Sequence, residues 1–154
     1  MKTLVVYDSV QGNTEKIAGA IGAAISETIG GDVQVQRPAD VDGSALNTVD
    51  LWVIGAPTHG GRPTPPIAEF LKRLPASAVE EKRFAAFDTR IPAKWVKLFS
   101  FAAPRIARTL RKLDGKQVVE PEGFFVDSSN PPVLLDGELE RAAKWAREIA
   151  KAAG

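Results

Sequence analysis

The sequence runs to 154 residues, the size of one domain, and at 44% hydrophobic and 25% charged it has the make-up of a globular chain that buries a core without crosslinks. It has no cysteine and one histidine, His59, which excludes disulfides, thiolate metal sites, iron–sulfur clusters and cysteine nucleophiles and leaves no basis for a metal site. Net charge is +1, and no uncharged apolar stretch approaches the roughly 20 residues of a membrane span, so the expectation is a cytoplasmic protein with no transmembrane segment.

In chain order, Lys2–Tyr7 is a short branched apolar run that predicts a buried parallel strand. Thr14–Ile29 predicts a helix with Ile17, Ala18, Ile21, Ile25 and Ile29 on its inner face, ended by Gly30 and Gly31. Asp32–Gln36 alternates like a strand nearer the edge, and Val41–Val49 has room for a short helix. Asp50–Gly55 is the second strongly buried strand, and Pro65–Leu74 a helix with proline in its first turn. Arg83–Phe87 predicts a fourth strand. Pro92–Leu113 has helical composition with a kink or break at Pro104, and Gln117–Val126 is a fifth strand with an irregular middle at Pro121–Gly123. Leu135–Ala152 closes the chain as an amphipathic helix with Leu139, Ala142, Ala143, Ala146 and Ile149 inward.

Strands alternating with helices imply right-handed crossovers and one parallel sheet covered on both faces, with order 2-1-3-4-5 the leading topology for five strands. Ligands on such sheets bind at the carboxyl ends of the strands, which directs attention to the loops after Tyr7, Gly55 and Phe87.

The first of these loops, Asp8-Ser9-Val10-Gln11-Gly12-Asn13-Thr14, sets two hydroxyls, an amide and a glycine between a buried strand and a helix N-terminus. Successive backbone N–H groups there form an anion nest, and the helix dipole adds positive potential. With no lysine or arginine in the loop, the pattern suits a terminal monophosphate rather than a triphosphate with magnesium. The phosphate loop G-x-x-x-x-G-K-[ST] and the dinucleotide fingerprint G-x-G-x-x-G are both absent. The plainer alternative is that these residues merely cap a helix.

Val5-Val6-Tyr7-x-Ser9-x-x-Gly12-x-Thr14-x-x-x-Ala18-x-x-Ile21 resembles the flavodoxin signature over its full length. Gly55-Ala56-Pro57-Thr58-His59-Gly60-Gly61 resembles the second flavin loop of that family. Pro121-Glu122-Gly123-Phe124-x-Val126 and Asp136-Gly137-Glu138 resemble its C-terminal part. The resemblance covers essentially the whole chain. It implies a flavodoxin-like α/β fold: a three-layer αβα arrangement with a five-stranded parallel sheet in order 2-1-3-4-5, as a single domain over residues 1–154. The implied cofactor is FMN. Ser9, Val10, Gln11, Gly12, Asn13 and Thr14 would wrap its phosphate, with Pro57, Thr58, His59, Gly60 and Gly61 on one side of the ring and Asp88, Thr89 and Arg90 on the other. Flavodoxins commonly flip a peptide next to glycine when flavin N5 gains a proton, and Gly60 makes such a flip cheap.

The sequence departs from the family in two ways. Its second loop carries His59 where tryptophan is frequent, and its third lacks the tyrosine expected there; Trp95 either supplies a stacking face or packs in the core, and His59 either lines the flavin or is an ordinary loop residue. Charge departs too. Arg90 to Lys116 holds eight Lys/Arg against one acid, a net +7 that leaves −6 for the rest. Arg62 and Arg90 would flank the flavin edge and raise its potential above that of acidic flavodoxins. The basic segment 94–116, with Lys94, Lys97, Arg105, Arg108, Arg111 and Lys112 beside Trp95, Phe99 and Phe101, is a docking surface for acidic redox partner proteins, a peripheral contact for an anionic membrane, or a solvated helix face; nucleic acid fits it less well. The resulting expectation is an FMN-binding electron-transfer protein. The alternatives are an FMN-dependent quinone or protoporphyrinogen-type oxidoreductase and a flavodoxin-like domain that no longer binds FMN. No side chain stands out as an acid–base catalyst.

Overall fold

A computed structural model describes residues 1–92 and 101–154. In chain order it contains β1 (Lys2–Tyr7), α1 (Asn13–Ile29), β2 (Asp32–Gln36), β3 (Leu51–Pro57), α2 (Pro65–Arg73), β4 (Arg83–Arg90), α3 (Ala102–Lys112), β5 (Lys116–Gln117), β6 (Glu122–Phe125) and α4 (Glu138–Ala153). Every strand pairing is parallel, in the order β2-β1-β3-β4-β5, with β6 also on β4. This is the flavodoxin-like fold with the expected 2-1-3-4-5 order.

Side-chain alternation builds two cores. Val5 and Tyr7 of β1 face α1 and α4, joining Ile17, Ile21, Phe87, Trp145 and Ile149. Leu4 and Val6 point the other way and pack with Trp52, Phe70, Phe84 and Ile106 beneath α2 and α3. Because the inner strands are buried on both faces, they read as unbroken apolar runs. Trp52 is fully buried, and its indole N–H donates to the Ala78 carbonyl at 2.8 Å. Among the described residues no helix is long and apolar enough to cross a membrane.

The structure adjusts several expectations along the chain. The fifth sheet position is filled by two short strands, β5 and β6, rather than one, because the ladder lapses around the bend at Val119 and Pro121 has no N–H to donate. The short helix for which residues 41–49 have room is a 3₁₀ helix at Gly43–Thr48, preceded by a 3₁₀ turn at Pro38–Asp40. Leu139 sits in the first turn of α4 and is 45% exposed, so the inner face is carried by Ala142, Trp145, Ala146 and Ile149. Pro104 breaks nothing in α3, since it falls in the first turn, where its missing N–H has no intrahelical partner to lose. The portion of the expected Pro92–Leu113 helix over residues 93–100 lies outside the described residues.

The most consequential difference is in β4. It continues to Arg90, pairing with β3 as far as Thr89 and with β6 as far as Arg90, so Asp88, Thr89 and Arg90 belong to a strand and not to a loop.

The outer edge is clamped by α4. The Glu138 carboxylate accepts the Phe125 N–H at 2.7 Å and pairs with Arg141 at 2.6 Å. Arg141 in turn donates to the Gly123 carbonyl at 2.6 Å and lies over the Phe124 ring. Burial alone would raise the Glu138 carboxyl, but the Arg141 guanidinium and the Phe125 amide outweigh it and hold the group below its usual value of 4.5. A depressed carboxylate contributes stability above the ordinary value and loses it as pH falls through the folded one. In urea unfolding at pH 7 and pH 3, wild type is therefore expected to lose more stability on acidification than Glu138→Gln; parallel losses would show that the carboxylate is not held by the clamp. Phe87→Ala is expected to cost about 3–5 kcal/mol in the same assay, because the ring is fully buried against Phe124 and Trp145.

Candidate functional site

The carboxyl ends of β1, β3 and β4 converge where the strand order reverses, and a cavity of about 260 Å³ opens there. Val10, Gln11, Asn13 and Thr14 line it from the first loop, Pro57, Thr58 and His59 from the second, and Thr89, Arg90 and Ile91 from the third. Val126 and Pro132 complete the wall.

The first loop is shaped from both ends. Gly12, at φ +87°, is the residue before α1, a left-handed conformation that a side chain would strain. Its N–H donates to the Ser9 hydroxyl oxygen at 3.1 Å, which leaves the Ser9 hydroxyl hydrogen free to turn outward. No side chain caps α1, so the expectation that Ser, Asn and Thr serve as ordinary helix caps fails at this helix. On the outer side Arg37 lies over the Tyr7 ring, and its guanidinium donates to Asp8 and to the Ser9 carbonyl, each at 3.2 Å.

Two expected donors are already used within the protein. The Asn13 side-chain amide donates to the Pro132 carbonyl at 2.9 Å, and the Thr14 hydroxyl shares a buried 2.8 Å hydrogen bond with Thr89. Their side chains knit the loop to β4 and to the segment after β6, while the helix N-terminus itself stays open.

The second loop is a tight hairpin. His59 and Arg62 exchange backbone hydrogen bonds of 2.8 and 3.0 Å across Gly60 and Gly61, which sit at φ +57° and +76° as a turn of this hand requires. His59 is exposed and lies at the cavity rim. Gly60 and Gly61 form the tip and do not line the cavity.

Asp88 does not reach the cavity. It is fully buried, takes two 2.7 Å bonds from the Arg90 guanidinium, and accepts the Ala103 N–H at 2.9 Å at the start of α3. The adjacent Ala102 N–H is accepted by the Thr58 hydroxyl at 3.0 Å, so the second loop and the end of β4 jointly cap α3. Burial pushes the Asp88 carboxyl up, and Arg90, the Ala103 amide and Thr58 pull against it. The Arg90 guanidinium also lies 3.6 Å from the Phe101 ring centroid and packs so closely on Gly123 that a Cβ there would fall 2.2 Å from its Nε. Neither Arg90 nor Arg62 is left as an unpaired charge facing the cavity. Arg90 is neutralised by Asp88, and Arg62 lines a different hollow on the far side of the hairpin.

Trp95 lies outside the described residues, as do Lys94, Lys97 and Phe99. No Phe, Tyr or Trp lines the cavity among the described residues; its apolar surface comes from Val10, Pro57, Ile91, Val126 and Pro132. Ile91, Val126 and Pro132 escaped sequence reasoning, although the rule that pointed to the other loops applies equally to the carboxyl end of the last strand. The site fits a phosphate-bearing planar ligand. At one end stand an open helix N-terminus, a left-handed glycine with open space about it and a free hydroxyl hydrogen; at the other lies an apolar slot between two loops.

Comparison with known proteins agrees with this geometry. The sequence profile of the Flavodoxin family matches residues 5–145. A flavodoxin from the domain Archaea superposes with a TM-score of 0.81 at 27% identity, covering 99% of both chains. Flavodoxin 1 from Bacillus cereus superposes at 0.78 and 21% identity, covering 98% of each. The chain is also 28% identical over 153 residues to the S-adenosyl-L-methionine-dependent tRNA 4-demethylwyosine synthase of Oryza sativa subsp. japonica, a match that takes in 91% of this chain and 23% of that protein.

The ion pair behind the cavity can be tested separately. Asp88→Asn leaves Arg90 charged and largely buried without its counter-ion, and is expected to cost roughly 3 kcal/mol in urea unfolding. A loss below about 1 kcal/mol, the range of surface pairs, would mean that the pair does not organise the third loop.

Proposed function

The chain belongs to the flavodoxin family, whose members bind FMN, and on that premise we propose that it is an FMN-binding electron-transfer protein acting as a single domain in the cytoplasm. The observation that carries this reading is the uncapped α1 N-terminus, which opens onto a cavity walled by the loops of β3 and β4. FMN, when bound, supplies the chemistry by accepting and releasing one or two electrons. The protein's own residues position it and tune it.

At the phosphate end, the backbone N–H groups of residues 10, 11, 13 and 14 and the Ser9 hydroxyl provide neutral donors, and Gly12 lets the main chain approach closely. Asn13 and Thr14 act through their hydrogen bonds to Pro132 and Thr89, which keep the loop in register with the rest of the site. At the ring end, Pro57, Thr58 and His59 stand on one side, with Gly60 and Gly61 at the tip of their hairpin. Thr89 and Arg90 stand on the other, with Asp88 fixing Arg90 from behind. The Gly60 peptide, between two glycines at positive φ, is the one that would turn its carbonyl to accept a hydrogen bond from the ring.

Arg90 is the only charged residue lining the cavity and His59 the only other titratable one; no carboxylate or lysine reaches it among the described residues. That poverty of proton-transfer groups supports a carrier over a stand-alone oxidoreductase. So does the match to under a quarter of a much longer enzyme, which fits a module serving another protein's chemistry. The basic segment 94–116 favours acidic redox partners.

Titration of the purified protein with FMN is expected to quench flavin fluorescence with sub-micromolar affinity and to give much weaker riboflavin binding. Ser9→Asp, which keeps an acceptor for the Gly12 N–H but adds a negative charge, is expected to weaken FMN at least about tenfold and leave riboflavin unchanged. No FMN binding would leave a flavodoxin-shaped interaction domain. Turnover of NAD(P)H or a quinone by the protein alone would make it an enzyme.

A further inference from the structure

A second hollow, of about 350 Å³, lies between α2 and α3 behind the His59–Arg62 hairpin. Its walls are apolar at Ala68 and Leu71, with the Thr109 side chain opposite, and its rim carries Arg62, Lys72 and Arg105. Among the described residues no carboxylate lines it. Among the described residues neither Arg62 nor Lys72 is in an ion pair, and both are exposed.

The charge does not stop at the hollow. α3 carries Arg105, Arg108, Arg111 and Lys112 and no acid. Arg105, Arg108, Thr109 and Lys112 fall on one helix face at the 3-, 4- and 7-residue spacings that bring side chains together. This stripe runs about 10 Å along the helix at 1.5 Å per residue. One small anion would occupy a single position of such a stripe, whereas a succession of carboxylates matches its length.

We propose that this hollow is the seat for an acidic segment of a partner protein, with a carboxylate held between Arg62 and Lys72 and an adjoining apolar side chain against Ala68 and Leu71. The proposal rests on the electron-carrier reading and gives it a place. Arg62 closes the same hairpin that presents His59 to the flavin cavity, so a partner docked here stands one two-residue turn from the cofactor. Charge brings the partner in and sets its approach, while the apolar floor adds the shape selectivity that a bare basic surface lacks.

The test uses a fluorescein-labelled peptide, Glu-Leu-Glu-Asp-Leu-Glu-Glu, and fluorescence anisotropy on the full chain with and without FMN. Binding is expected in both forms and is expected to weaken as salt rises from 20 to 200 mM. Lys72→Glu should weaken it at least about fivefold at low salt. Ala68→Leu, which fills the hollow without changing charge, should do the same. Lys144→Glu makes an equal charge change on the remote, exposed face of α4 and should stay within about twofold. Circular dichroism and melting establish that each variant is folded. Equal losses in Lys72→Glu and Lys144→Glu, or none in Ala68→Leu, would reduce the seat to a diffuse basic field and overturn the proposal. The two readings separate cleanly: peptide binding with the expected variant pattern but no FMN binding keeps the seat and removes the carrier. FMN binding without that pattern does the reverse.

Discussion

The site depends on one strand being buried on both faces and paired along its whole length. β4 is held by β3 on one side and by β5 and β6 on the other, and its register runs past the helical layers to Arg90. Parallel pairing puts the carboxyl ends of β1, β3 and β4 together, so the loops that leave them meet without any element reaching across the molecule. Phe87 anchors the strand in one core, and the next residue, Asp88, carries a carboxylate into the other side. A single residue's alternation thus separates the hydrophobic layer from the polar network that caps α3.

That network explains how a buried charge is tolerated so near an apolar cavity. Asp88 is satisfied by two guanidinium bonds and an amide, Arg90 by the carboxylate and by the Phe101 face, and the first amides of α3 by Thr58 and Asp88. With every partner supplied, the pair serves as a rigid post between the second and third loops. It also pairs the arginine at the cavity with a carboxylate, while the other basic residues of this region lie along α3 and at Lys72.

Much of this was legible in the sequence, and the limits have physical causes. The strands of the inner sheet announce themselves as apolar runs, and the strand–loop–helix pattern from Val5 to Ile21 carries the phosphate end of the site. Hydrophobicity cannot show where a strand ends once its residues turn polar. Asp88, Thr89 and Arg90 look like a loop because their hydrogen-bond partners come from β6 and α3, distant in sequence. The same blindness hid Arg37, which closes the first loop from 28 and 29 residues away, and Pro132, which bonds to Asn13 across 119. Leu139 was misplaced because helical periodicity gives a face but not the turn at which the helix meets its neighbours.

The Arg37 contact ties the first loop of the site to an edge of the sheet. β2 is an edge strand, with Val35 38% exposed, and Arg37 follows its last residue directly. Edge strands open locally at lower free energy than the centre of a sheet. Whenever β2 frays, Arg37 leaves Tyr7, Asp8 and the Ser9 carbonyl, and the first loop loses the contact that turns its donors inward. Order in the loop is therefore conditional on order at the edge. The linkage runs in both directions, so an anion held by the loop slows amide exchange in a strand that it never touches.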